Sequence, residues 1–241
     1  AGPGVTFQKD QGMDTPYEIW VNGAQLISLP IDMHAPDKSD VLNSHLLAQV
    51  FANHDSLVAQ APKAWYQHNK EGLSKLKWNT PLTHSDVPLF NPLDELSLVE
   101  LVASHLTKEL PAAVFKQLTG ALEHLSSLEY KHPARQLFRQ QVVSKGVDEQ
   151  GHEITHINFR VSACTASSHV FSLFVSMTLG VPLQEDFLHQ EFYGADCVGE
   201  SLFFYSHKTL VSSLYARVRE KVAQQAQEHA GLRLKLPLAI A

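Results

Sequence analysis

Between Val161 and Gln184 the chain carries no Asp, Glu, Lys or Arg. A run of that length without a charge has to be covered on all sides, and whatever the rest of the chain folds into must cover it. It is long enough to span a bilayer. However, it contains several Ser and Thr, closes on Gly180-Val-Pro182 and opens with the alternation of a strand, so it reads as a buried central helix running to about Leu179. At its head lies Cys164, in Arg160-Val-Ser-Ala-Cys164-Thr-Ala-Ser-Ser-His169. A thiol at a strand-to-helix junction meets backbone N–H groups and a helix dipole that favour the thiolate.

The flanking patterns supply the cover. Tyr17-Glu-Ile-Trp-Val21, Asn22-Gly23 and Ala24-Gln-Leu-Ile-Ser-Leu29 form a hairpin signal, because Asn-Gly takes the positive φ angles of a two-residue turn. Ser39 or Asp40 caps a helix bearing Val41, Leu42, Leu46, Val50 and Phe51, and a second helix over residues 62–78 presents Trp65, Leu73 and Leu76. Three prolines make residues 79–92 a loop, and helices follow over 93–110 and 111–130. An antiparallel pair is expected at 137–143 and 153–161. In its second strand Ile157, Phe159 and Val161 face one way and His156, Asn158, Arg160 and Ser162 the other. Residues 182–199 are irregular, 201–205 form a short apolar run, 210–229 an amphipathic helix, and 232–240 a last strand with Pro237 at an edge or end. The expected architecture is one α+β domain over residues 16–241, preceded by a flexible lead-in at 1–15. Its sheet is mainly antiparallel and packed by helices, with the buried central helix after Cys164.

Composition narrows the function. Of 241 residues, 44% are hydrophobic and 18% charged, which describes a folded globular chain, and a formal charge of −6 without a basic stripe excludes a nucleic-acid partner. Two cysteines do not make a disulfide framework. The fourteen histidines are spread along the chain, and no Cys/His spacing resembles a zinc site, so no metal is expected.

That leaves the thiol. A cysteine nucleophile needs a base within hydrogen-bond reach. His169, five residues on, would lie around the helix axis, so His189 and His207 are the candidate bases. The apolar flanks of Cys164 point to acyl chemistry rather than to proteolysis of a polar substrate. An acyl slot could be lined by Val170, Phe171, Phe174 and Met177 of the central helix with Phe203 and Phe204.

The size, the mixed α/β organisation without enzyme signatures, and the buried cysteine of Val161-Ser-Ala-Cys164-Thr-Ala-Ser-Ser-His169 together resemble the Evf family, the insect-gut virulence factors of plant-pathogenic enterobacteria such as Erwinia and Pectobacterium. The resemblance implies palmitate in thioester linkage to Cys164, a fatty acyl donor, a role in bacterial persistence in the insect gut, and membrane association. It also implies a bacterial location, in the cytoplasm, at the membrane or secreted. No signal peptide is visible, and the opening Ala1 reads as a trimmed N-terminus. A cysteine thioesterase or acyltransferase with a trapped acyl-enzyme is the alternative.

Overall fold

The Asn22-Gly23 hairpin forms where the sequence places it, and it anchors a sheet that the rest of the chain extends. In the computed structural model, which describes residues 17–238, strands β1 (Tyr17–Asn22) and β2 (Gln25–Pro30) pair antiparallel around Gly23, whose φ is +65°. Helices α1 (Ala35–Asp55) and α2 (Pro62–Lys75) follow, then β3 (Trp78–Asp86), the short β4 (Glu95–Leu96), and helices α3 (Leu98–Leu106), α4 (Ala112–Ser127) and α5 (Pro133–Val142). The second half is mostly sheet: β5 (Val143–Val147), β6 (Glu153–Cys164), β7 (His169–Leu179), β8 (Phe192–Tyr193) and β9 (Leu202–Leu210). Helices α6 (Ser212–Tyr215) and α7 (Arg219–Gln227) and the edge strand β10 (Arg233–Lys235) complete the described chain.

The main sheet runs β10-β1-β2-β6-β7-β9-β3, with β5 also on β6. All its pairings are antiparallel except β2 with β6. Helices cover both faces. Under α3, α4 and α5 lie Leu26, Ile157, Phe159, Val161, Leu173 and Phe203, whereas α1, α2 and α7 cover Ile27, Leu29, Cys164 and Val170. The α+β architecture, the mainly antiparallel sheet and its helical cover are as expected.

The central helix is not. The uncharged run after Cys164 folds as β7, an antiparallel strand paired along its length with β6 and β9. A strand buried on both faces has no polar side to display, so it resembles a buried helix in composition. Ser168, with φ +56°, turns the chain back, and Thr165 N–H donates to His169 O at 2.9 Å across the turn.

Four further expectations shift for local reasons. Residues 78–86 form an edge strand, not a loop, since an edge tolerates Pro81 at the irregular register between Asn79 and Leu82. Residues 133–142 are helical, begun by Pro133 and by His132 Nδ1 accepting from Ala134 N–H, and pairing with β6 starts only at Val143. Helix α1 starts at Ala35, so Asp40 is inside it. There it is 2% exposed and is held by Arg219, with Nε 2.9 Å from Oδ1 and Nη2 2.8 Å from Oδ2. The expected 210–229 helix is broken between α6 and α7. The 1–15 lead-in and the end of the last strand lie outside the described residues.

Gly23 shows how tightly the first hairpin is fixed. A Cβ there would stand 2.5 Å from Gln49 Oε1, the atom that accepts from Ala24 N–H. The left-handed backbone alone costs a non-glycine residue about 1–2 kcal/mol. Gly23→Ala should therefore lower the unfolding free energy, read from a urea melt, by at least that amount. Gly120→Ala, in α4 with nothing near its Cβ, should raise stability by about 0.5–1 kcal/mol.

Candidate functional site

Side chains alternate along β6, and this sorts the site. Ile157, Phe159, Val161 and Ala163 enter the core under α3–α5, while Asn158, Arg160, Ser162 and Cys164 face α1. Cys164 is the last residue of the strand and is 0% exposed. It shares an apolar cluster with Ile27, Leu29, Val41, Leu42, Val170 and Tyr215. Its Sγ–H donates to Thr165 O at 3.3 Å.

Because β6 continues into a hairpin rather than a helix, Cys164 does not open a helix of its own. The thiol is pushed up from 9.0 to about 12, first by burial and then by the charge of Asp37. At neutral pH it is a neutral, shielded thiol, the opposite of what a strand-to-helix junction would have produced.

Neither candidate base faces it. His207 stands opposite Phe171 in the β7–β9 register, whereas Cys164 stands opposite Val170, so the two side chains leave the sheet on opposite faces. The His207 ring stacks on Phe171 at 4.3 Å, and its Nε2 lies 2.9 Å from His169 Nδ1. Burial, His169 and Lys208 lower its pKa. His189 lies beside α4, with Nε2 3.2 Å from Glu123 and Nδ1 3.2 Å from Asp186. Burial works against its charge, but the two carboxylates outweigh that and raise its pKa.

The sheet also divides the six residues proposed to line an acyl slot. Val170 joins the Cys164 cluster. Phe174 and Phe204 lie on the same face near Trp65 and Tyr66, while Phe171, Met177 and Phe203 are in the opposite core. A slot beginning at Cys164 therefore cannot use the last three. Its other walls come from α1 and β2, whose Val41, Leu42, Ile27 and Leu29 are far from Cys164 in sequence. Cys197 is half-buried, bridged to Leu179, with its thiol raised to about 11 by burial and Asp196.

The polar face of β6 holds what the sequence reading missed. Arg160 and Ser162, expected on a polar side, are 3% and 0% exposed. Gln25 Nε2 donates to Ser162 Oγ at 2.8 Å, Ser162 Oγ lies 2.7 Å from Ser172 Oγ, and Lys208 Nζ donates to Ser206 Oγ at 2.7 Å and to Ser172 Oγ at 3.3 Å. Burial, together with Arg160, holds the Lys208 pKa well below its ordinary value. The sequence signal is a single charged residue in each of two apolar stretches, Arg160 within 154–164 and Lys208 within 202–210.

No family model matches this sequence, and no curated protein matches it. Among the described residues, no three His, Cys, Asp or Glu side chains form a metal-binding group, and no helix is long and apolar enough to cross a membrane.

The raised thiol has a sign. Unfolded, Cys164 ionises near 9, while folded it keeps its proton to about 12, so between those values the unfolded state binds fewer protons and stability falls as pH rises. Unmodified protein should lose stability over that window, and Cys164→Ala should lose less. Iodoacetamide at pH 8 should leave Cys164 unlabelled in the native state and label it on unfolding, as read by peptide mass mapping.

Proposed function

We propose that Cys164 carries a fatty acyl group in thioester linkage, with its chain in the apolar layer between the sheet and helices α1 and α7. We further propose that the protein acts as a bacterial virulence factor of the Evf kind, promoting persistence in the insect gut. The observation that carries the first part is the state of the sulfur, which is fully buried, neutral and surrounded by aliphatic side chains, with no histidine on its face among the two candidates. A thioester suits such a place because it has no proton to lose and no charge to bury. Each buried methylene contributes roughly 0.8 kcal/mol, so a palmitoyl chain contributes on the order of 10 kcal/mol. The resemblance of the Cys164 segment and of the chain's organisation to the Evf family supports the second part.

In the acylation step the Cys164 thiol attacks the carbonyl of an activated fatty acyl donor. The new S–C bond replaces the donor's bond to its leaving group, which departs with the thiol proton. Since the folded thiol is protonated and shielded, transfer takes place before α1 closes over the end of β6. Hydrolysis in the folded state would need a base to activate water, and His189 and His207 are placed elsewhere, so the reading of a stalled thioesterase draws no support from them.

A chain held inside the protein cannot also enter a bilayer, and one chain alone anchors weakly. Membrane association would thus require release of the lipid or a second surface. The amphipathic 210–229 segment offers Arg217, Arg219 and Lys221 for such a surface, and of these Arg219 is already bound to Asp40.

Intact-mass measurement before and after neutral hydroxylamine tests the assignment on protein isolated from its own host. The expected result is loss of one saturated acyl mass from the wild type and no such mass on Cys164→Ala. Absence of the loss, or its persistence in Cys164→Ala, would overturn the reading.

A further inference from the structure

Two cations lie under α1 and α2 without a carboxylate. Arg160 and Lys208 are 3% and 2% exposed, and among the described residues neither forms an ion pair. The buried carboxylates on this side are engaged elsewhere, Asp40 by Arg219 and Glu18 by Lys38 and Lys235. His45, 0% exposed, sits within electrostatic reach of both cations, and its Nε2 has no partner. Lys208 can relieve its burial by losing its proton to become an amine held by Ser172 and Ser206. Arg160 cannot, because a guanidinium stays charged in proteins. The unbalanced charge therefore rests on Arg160.

What Arg160 touches is neutral. Nη2 donates to Asn69 Oδ1 at 2.7 Å, and the guanidinium lies 5.8 Å over the Tyr66 ring. Its Nε and Nη1 have no acceptor, and Asn69 Nδ2 and Asn158 Oδ1 are also without partners, both residues being at most 4% exposed. A cavity of about 50 Å³ opens at this point, lined by Arg160, Asn158, Gln49, Asn53, Trp65 and Phe174. That volume exceeds the ~10–15 Å³ a single water requires. Waters there would satisfy the free N–H groups but would leave a full positive charge in a largely enclosed site, a cost of several kcal/mol per ion. An anion answers both demands.

We propose that this cavity is a binding site for one small monovalent anion, of chloride or formate size, held against Nε and Nη1 of Arg160. A half-turn of the Asn158 amide, which exchanges its O and N, adds a neutral donor from the cavity lining. Trp65 and Phe174, stacked at 5.5 Å, form the apolar wall that limits the size of the ion. The site rests on Arg160 and is independent of the acyl group proposed at Cys164.

The test is thermal unfolding of the full chain at constant ionic strength, with sodium gluconate replaced stepwise by chloride or formate. Gluconate is too bulky for the cavity. Wild type and Cys164→Ala should both show a saturable rise in Tm, about 3–6 °C at ten times the dissociation constant. Asn158→Asp places a carboxylate in the same cavity and should abolish the response, with a Tm in gluconate at or above that of the wild type in saturating chloride. Arg160→Gln should also lose the response. The chloride NMR line should be broadened by wild-type protein and narrowed by added formate, a readout that needs no variant. Equal Tm in chloride and gluconate, an undiminished response in Asn158→Asp, or no formate-sensitive broadening would overturn the proposal.

Discussion

Burial of β6 on both faces is the constraint on which the rest of this protein depends. The strand pairs with β2 in parallel, with β7 from Thr155 to Cys164, and with β5 at its start, and from Ile157 to Cys164 every residue is buried. Every residue along it must find its cover in another element. Ile157, Phe159 and Val161 find it under α3, α4 and α5, and Arg160, Ser162 and Cys164 under α1 and α2. The α1–α2 pair covers one face because it links β2 to β3, which lie on either side of β6, β7 and β9 in the sheet.

The period of two in β6 was readable from the sequence, and with it the separation of Phe159 from Arg160. The fate of residues 169–179 was not, for a reason that lies in the numbers. Ser168, Ser172 and Ser176 are spaced by four. That interval returns to the same stripe of a helix and also to the same face of a strand, so the pattern satisfies both periods. Only pairing with β6 and β9, which sequence spacing does not encode, decides between them. The same limit applied to the site. Cys164 could be singled out, but its neighbours Val41, Leu42, Ile27 and Leu29 come from segments whose approach depends on the β2–β6 join. The placement of His207 follows from the strand, because β7 sends Phe171 and its partner His207 to the face opposite Cys164.

The α1-side face of the sheet changes character within a few residues. At the end of β6 the row through Cys164 and Val170 is apolar until it reaches Lys208. The next row holds Ile27, Ser162, Ser172 and Ser206, and the one beyond it Gln25, Arg160 and Phe174. A buried face made only of aliphatic residues would be simpler to stabilise, since polar groups placed there must each find a partner. The serines and Lys208 do so among themselves. Arg160 does not, and its Nε and Nη1 are left without partners, as are Asn69 Nδ2 and Asn158 Oδ1. The two features are therefore different in kind: one is a neutral sulfur in a hydrocarbon setting, the other a fixed charge beside a small cavity.

The setting of the sulfur also bears on whether an acyl group there would be permanent or transient. An acyl-enzyme intermediate is resolved when its thiolate leaves, and a thiolate leaves more readily when its pKa is low. At Cys164 the thiolate is disfavoured by burial strongly enough to move the thiol to about 12, so the leaving group is made worse by the same residues that would shelter the acyl chain. Attack is handicapped as well, because the surrounding cluster excludes water and the two histidines considered as bases occupy other parts of the fold. Catalytic thioesters need one of these barriers lowered, and here burial raises both. An acyl group in this position would behave as a built-in part of the apolar layer, and its exchange would have to wait on the opening of α1 from the sheet.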